Sequence, residues 1–187
     1  MEVLGMTKEF NFTLLNKIAK AHGIVLFGST SAAQIPINEL VQDYDISQKI
    51  YNRSIEGLTI ENAGKYLDSC IYNLNPDKIV LNLGEEDLKS NCDIKQLMEQ
   101  YLWILYTIHT VLPHATLVLT SVCGEDEQTA LFNESLKKLA GEFGCEYFEI
   151  PSLQASDEYA IQFLRTIKSV FYNPDMDYAD IVQYCAI

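Results

Sequence analysis

The 187-residue sequence has little positive charge and no closely spaced cysteines. It contains 13 Lys and Arg against 26 Asp and Glu, which gives a formal net charge of −13. This charge argues against nucleic acid and anionic membrane surfaces as partners, because phosphate binding draws on clustered cations. Its five cysteines include no C-x-x-C pair. We therefore expect reduced, mostly buried thiols, no bound metal and no cofactor.

Long apolar runs are also missing. No run reaches the roughly 18 residues that a membrane span needs, and residues 1–6 lack the basic region of a signal peptide. We therefore expect a cytoplasmic protein. The length predicts one domain, residues 1–187, with 173–187 as a C-terminal tail. The tail carries Tyr178, Ile181, Val182 and Tyr184. It either docks on its own domain, the interpretation we favour, or packs on a partner subunit in a homo-oligomer.

Strand-like runs alternate with helical patterns along most of the chain. The predicted strands cover 24–27, 49–52, 78–83, 115–120 and 145–150, and the predicted helices cover 11–21, 59–74, 93–112, 127–143 and 156–172. Such alternation requires a parallel sheet with right-handed crossovers and helices on both faces. The predicted fold class is therefore three-layer α/β/α, flavodoxin-like, with about five parallel strands.

Three turns follow strand-like runs and carry the most specific signal. They read Gly28-Ser29-Thr30, then Asn52-Arg53-Ser54-Ile55-Glu56-Gly57, then Gly84-Glu85-Glu86-Asp87. Their order and residue patterns resemble the first three signature blocks of the SGNH (GDSL-type) hydrolases. Those blocks read Gly-Asp-Ser, Asn-Arg-Gly-Ile-x-Gly and Gly-x-Asn-Asp, and the resemblance covers roughly residues 24–172. Ligands bind at the carboxyl ends of strands in such sheets, which is where these turns are expected.

The resemblance implies a role for each matched position. In that family the block-one Ser attacks an acyl ester, and its own N–H, the block-two Gly and the block-three Asn form the oxyanion hole. The Asp-Ser pair falls here on Ser29 and Thr30, the Gly on Gly57 and the Asn on Glu86. The family's late Asp-x-x-His loop corresponds to residues 151–155, which contain neither Asp nor His.

These departures affect the expected mechanism. A hydroxyl needs a base within hydrogen-bond reach, yet all three histidines, at 22, 109 and 114, are predicted at the opposite edge of the sheet. A carboxylate at Glu86 would repel an oxyanion 4 Å away by about 4 kcal/mol at a dielectric near 20. A protonated Glu86 could donate instead, since its neighbours Glu85 and Asp87 favour the neutral form.

The favoured interpretation is therefore an SGNH-like protein that has lost ester hydrolysis and acts as a binding or interaction module. One alternative is an active esterase or acylhydrolase on a small acyl ester, with a nucleophile among Ser29, Thr30 and Ser31 and a non-standard base. A third is a scaffold subunit that assembles through its tail. The small-molecule or protein partner stays open.

Further residues are predicted to line the binding cleft. Arg53 is the nearest candidate counter-ion of Glu86, and unless the two pair, the cleft mouth should be electronegative and prefer cations or neutral hydrogen-bond donors to acyl anions. The acidic run 85–87 is interpreted as a solvated loop, the alternative being a divalent-cation site. Cys123 ends a strand on the same edge, but no basic neighbour in sequence would make it a thiolate. The full predicted set is Ser31, Asn52, Arg53, Glu85, Asp87 and Cys123.

Overall fold

A parallel five-stranded sheet forms the centre of the protein. The computed structural model describes residues 12–43, 46–90, 92–151 and 156–171. The strand order is β2-β1-β3-β4-β5, and every neighbouring pair is parallel. This confirms the predicted fold class. The strands are β1 (Ile24–Gly28), β2 (Ile50–Asn52), β3 (Lys78–Asn82), β4 (Thr116–Thr120) and β5 (Glu146–Phe148).

Helices cover both faces of this sheet. The described part of α1 spans 12–16. The others are α2 (Thr30–Ala33), α3 (Ile37–Asp43), α4 (Ile60–Ala63), α5 (Leu67–Cys70), α6 (Ile94–Val111), α7 (Glu127–Phe143) and α8 (Ser156–Thr166). Short 3-10 turns cover Gly64–Tyr66, Tyr72–Leu74, Asp87–Lys89 and Lys168–Phe171. No helix in these ranges is long and apolar enough to cross a bilayer.

Two hydrophobic clusters separate the three layers. In β1, Val25 and Phe27 join the cluster under α4 to α7, while Ile24 and Leu26 join the cluster under α3 and α8. Successive side chains of a strand point to opposite faces, so a strand buried on both faces must be apolar throughout. The continuous apolar run that predicted β1 thus follows from its central place in the sheet.

The predicted helix over 59–74 is broken in the structure. Thr59 caps α4 by accepting from the Asn62 N–H, but the helix gives way to 3-10 geometry at Gly64. A Cβ at Gly64 would lie 2.7 Å from Cζ3 of Trp103, so α6 packs directly on the backbone there. The local sequence pattern predicts a continuous helix, and the structure interrupts that helix at the residue where Trp103 packs on the backbone.

The sequence analysis also missed α2 and α3, which lie between β1 and β2. They have only 4 and 7 residues, too short for a helical hydrophobic period to show. Pro36 precedes α3, consistent with the preference of proline for helix starts. The placement of α2 matters for the candidate site, because its first residue is Thr30, the position that matches the family's nucleophile.

Candidate functional site

The site lies at the carboxyl edge of the sheet, where strand order reverses. β1 pairs with β2 on one side and β3 on the other, so the turns after these strands meet, as expected for a ligand site in an open parallel sheet. Gly28 makes this approach possible, since a Cβ there would lie 2.5 Å from the backbone oxygen of Asn82. Ser29 N donates to that oxygen at 3.0 Å.

The Thr30 hydroxyl joins all three turns. Thr30 Oγ1 donates to Glu86 Oε1 at 2.5 Å and accepts from the Gly57 N–H at 3.0 Å. The predicted convergence of the three turns is therefore confirmed. In the hydrolases that these turns resemble, the N–H at the position of Gly57 faces a developing oxyanion. Here that N–H is directed at the nucleophile-equivalent oxygen itself.

A second carboxylate occupies the start of α2. Glu85 Oε2 accepts from the Ser31 N–H at 2.8 Å, and Lys89 Nζ lies 2.7 Å from Glu86 Oε1 and 3.8 Å from Glu85 Oε1. Two carboxylates of the protein thus accept hydrogen bonds at this edge. Lys89 is the cation beside them.

Glu86 is ionised at neutral pH. Burial acts to raise the pKa of Glu86, but the hydrogen bonds from Lys89 and Thr30 outweigh it, and the pKa is lowered. The hydrogen bond with Glu86 in turn raises the pKa of Lys89. A protonated Glu86 that donates to an oxyanion was the disfavoured alternative from the sequence. The Lys89 contact argues against it, because that contact stabilises the carboxylate form.

Arg53, the nearest candidate from the sequence, is not the counter-ion of Glu86. Its Nε and Nη2 donate to Asn16 Oδ1 at 3.3 and 3.0 Å. Its guanidinium lies 5.0 and 5.3 Å from the ring centroids of Phe12 and Tyr51, and the residue is only 6% exposed. Burial lowers the pKa of Arg53. The side chain therefore packs under α1 instead of lining the cleft.

Lys89 is the functional-site residue that the sequence analysis overlooked. It follows Glu86 by three positions and Glu85 by four, and the 3-10 turn Asp87–Lys89 brings it back over both. Acid–base pairs at these spacings meet on one side of a helical turn. The spacing was therefore a readable signal that Lys89 would lie beside these two carboxylates.

Three other predicted residues are held by the fold. Both carboxylate oxygens of Asp87 accept from the Ile60 N–H, at 3.2 and 3.1 Å, which anchors α4. Burial raises the pKa of Asp87. Asn52 Nδ2 donates to the carbonyls of Ala32 and Ile35, at the end of α2. The Cys123 thiol lies half-buried, 3.6 Å from the Pro151 carbonyl.

The Ser29 side chain points away from the cleft. Its hydroxyl donates to the Leu58 carbonyl at 2.9 Å, and the residue is fully buried. The Ser29 hydroxyl, one of the candidate nucleophiles, is thus buried and hydrogen-bonded within the core. Thr30 carries the hydroxyl that contacts the carboxylate.

All three imidazoles lie at the amino edge, as predicted. His22 precedes β1 and contacts Asp77, which precedes β3, with 2.9 Å between Nδ1 and Oδ1. His114 precedes β4, with its ring centroid 6.5 Å from that of His22. His109 packs edge-on against Phe143 at 6.0 Å. Residues 152–155, the position of the Asp-x-x-His loop, lie outside the described residues.

No metal centre is formed by the side chains in the described ranges, where no group of three or more His, Cys, Asp or Glu is arranged to hold an ion. The acidic residues 85–87 instead make the hydrogen bonds given above. The predicted tail, 173–187, lies beyond residue 171 and outside the description.

Solved structures of several hydrolases share this architecture. A provisionally assigned platelet activating factor from Streptococcus pneumonia superposes with a TM-score of 0.77 at 18% identity, over 89% of this chain and 92% of that one. A GDSL-like lipase from Bacteroides thetaiotaomicron gives 0.68 at 12%, over 87% and 96%. The esterase EstA from Pseudoalteromonas sp. gives 0.66 at 13%, over 81% and 100%. At these identities the likeness establishes the fold, which is that of the GDSL-like lipases and esterases.

Sequence comparisons find no counterpart. No protein-family model matches the chain, and no curated protein matches it. This agrees with the altered residues in all three turns, because those turns hold the signature motifs by which SGNH hydrolase sequences are identified.

Proposed function

We propose that this chain is a non-hydrolytic protein on the SGNH-hydrolase fold, and that its carboxyl edge binds a ligand without cleaving it. One observation carries the proposal. The Thr30 hydroxyl is held between the Gly57 N–H and the Glu86 carboxylate. A hydrolase of this fold would need that N–H for the oxyanion and a neutral donor where Glu86 stands.

The energetic penalties point the same way. Losing one oxyanion donor costs about 3 to 4 kcal/mol of transition-state stabilisation, and a carboxylate at about 4 Å adds repulsion of about 4 kcal/mol at a dielectric near 20. Glu86 has a lowered pKa, so neutral pH does not relieve the repulsion. Hydrolysis would also need a base beside the Thr30 hydroxyl, and the histidines of the described residues lie at the other edge of the sheet.

The expected ligand follows from the charges. Glu85 and Glu86 face a single cation, Lys89, so the cleft mouth keeps a negative balance. Such a site favours cations or neutral hydrogen-bond donors over acyl anions. This supports a binding module for amines or other donors, in the cytoplasm as the sequence analysis expects.

Two measurements test the proposal. Purified protein should hydrolyse p-nitrophenyl acetate no faster than its Thr30→Ala variant. In thermal-shift screening, primary amines should raise the melting temperature, because a ligand that binds only the native state stabilises it. The shift should vanish in Glu86→Gln and persist in the control Glu134→Gln, an exposed position on α7. Stabilisation by carboxylates or phosphates that is unchanged in Glu86→Gln would contradict the proposal.

One observation favours the alternative of an active esterase. The 2.5 Å contact between Thr30 Oγ1 and Glu86 Oε1 has the geometry of a hydroxyl beside a general base. If Glu86 serves in that role, turnover of order 1 s⁻¹ should be lost in both Thr30→Ala and Glu86→Gln. A fluorophosphonate probe would then label Thr30, and peptide mass spectrometry would locate the adduct. The proposed non-hydrolytic function expects neither result.

A further inference from the structure

A surface groove lies between α4 and α6, beside the turn that carries Glu86. It encloses about 390 Å³, within the range of small-molecule sites, roughly 300 to 1,000 Å³. Its walls are Ile60, Glu61, Gln96, Glu99, Gln100 and Trp103. We call it the Trp103 groove. Its polar lining provides two carboxylates and two amides, and no basic side chain.

The aromatic wall is exposed and held in place. Trp103 is 57% exposed, which is unusual for the largest apolar side chain. A Cβ at Gly64 would lie 2.7 and 3.0 Å from the Cζ3 and Cη2 atoms of the indole. The six-membered ring therefore rests on bare backbone, and this contact fixes the indole as a wall of the groove.

The acidic walls lack cationic partners. Gln96, Glu99, Gln100 and Trp103 follow one face of α6 at helical spacing, and Glu61 faces them from α4. Within the described parts of the chain, neither Glu61 nor Glu99 forms an ion pair. The nearby Lys65 donates to Asn62 at 2.6 Å. An indole beside two unpaired carboxylates is complementary to an organic cation.

We propose that the Trp103 groove binds a small organic cation with an alkylated ammonium group. The indole face attracts the cation and covers its methyl groups, and Glu61 and Glu99 supply the charge. The Trp103 groove is separate from the site around the Thr30 hydroxyl. Glu61 nevertheless lies near the turn that holds Asp87, because its charge adds to burial in raising the pKa of Asp87. The inference does not depend on the proposed function of the Thr30 site.

The groove contains a built-in reporter, because Trp103 is the only tryptophan of the chain. Titration with tetramethylammonium chloride, with NaCl at matched ionic strength as the blank, should give a saturable change in tryptophan fluorescence. The neutral analogue tert-butanol should give none at the same concentrations. A response that never saturates, or an equal response to tert-butanol, would overturn the proposal.

Variants separate the two contributions. Glu99→Gln and Glu61→Gln should each weaken binding about threefold to fivefold, and Glu134→Gln on α7 should leave it unchanged. Trp103→Leu, followed by calorimetry, should weaken it at least fivefold while the circular dichroism spectrum stays native. Glu86→Gln should have no effect, so failure here and failure of the Thr30-site proposal are distinguishable. Binding of a lysine peptide without binding of tetramethylammonium would replace the small cation by a basic protein partner, and so contradict the proposal.

Discussion

The two edges of the sheet divide between them the groups that a hydrolytic triad would unite. At the carboxyl edge, the Thr30 hydroxyl meets Glu86 and Lys89. At the amino edge, His22 contacts Asp77, which is the base-and-orienter pair of a triad without a nucleophile. β1 separates them with five residues, a length of about 17 Å at the rise of a strand. Residue content alone therefore says little about activity, because the position of each residue along the strands determines which groups can meet.

The edges also differ in how their turns are made. Left-handed backbone at the carboxyl edge is carried by Gly57 (φ 75°) and Gly84 (φ 119°), whereas at the amino edge Gly144 (φ 83°) shares it with two residues that have side chains, His22 (φ 62°) and Asn75 (φ 43°). The amino edge therefore admits side chains at such turns. At the carboxyl edge one of the two glycines has no room for a side chain.

The largest expected effect follows from that crowding. In Gly84→Ala the new Cβ would lie 2.4 Å from Cζ of Phe132, at a φ that alanine rarely adopts. Backbone strain and overpacking each cost about 1 to 3 kcal/mol, so urea denaturation should show a loss of roughly 3 kcal/mol or more. Gly57→Ala is the matched control, with no atom within 4 Å of the new Cβ, and should cost only about 1 kcal/mol. Equal losses would show that crowding does not distinguish the two turns.

Sequence reasoning succeeded where a single physical rule decides the outcome. The apolar runs of β1 and β3 predict buried central strands, and the three turn motifs predict the meeting of Thr30, Gly57 and Glu86. The predicted helix over 127–143 matches α7, which Gly144 closes with a φ of 83°. These features depend on local pattern and strand order, both of which are readable.

It failed where a side chain had a choice of partners. Arg53 was the candidate counter-ion for Glu86, and only packing under α1 shows that Arg53 contacts Asn16 instead. Likewise the break at Gly64 coincides with its contact to Trp103, 39 residues further along the sequence. The sequence does not reveal such long-range contacts without the fold.

A second prediction examines whether the carboxyl edge is anchored by Asp87. Its buried carboxylate accepts twice from the Ile60 N–H, so Asp87→Ala leaves that donor unpaired and should cost about 1 to 3 kcal/mol. Asp87→Asn keeps an acceptor and should cost less. The pKa of Asp87 is raised in the folded state, so folding binds its proton more tightly. Its contribution therefore favours the native state less as pH rises upward from about 4. Chemical denaturation from pH 3 to 7 would reveal this slope and its absence in Asp87→Ala.

A third prediction concerns Glu86, whose pKa shift has the opposite sign to that of Asp87. Its pKa is lowered from the ordinary value of 4.5 in the folded state, so the unfolded chain binds the proton more tightly. The stability that Glu86 contributes is present above about pH 4.5 and is lost as pH falls through the folded pKa. Glu86→Gln and Lys89→Met should each flatten this acid limb of the stability curve, by about 1 kcal/mol or less. A control Glu134→Gln should keep the limb, and an unaltered limb in Glu86→Gln would show that the Thr30–Glu86–Lys89 cluster does not stabilise the fold.

The smallest expected effect lies at the amino edge and completes the comparison. His22 and Asp77 form a close contact of 2.9 Å, but their side chains are 63% and 55% exposed, so solvent screens the pair. A double-mutant cycle with His22→Gln and Asp77→Asn should give a coupling energy of about 0.2 to 0.5 kcal/mol, and 1 M salt should reduce it further. Neither variant should change amine binding at the Thr30 site, because the five residues of β1 separate that site from the amino edge. A coupling above about 2 kcal/mol, or altered ligand binding in His22→Gln, would show that the two edges communicate, and the separation of base from hydroxyl would no longer support the proposed absence of hydrolysis.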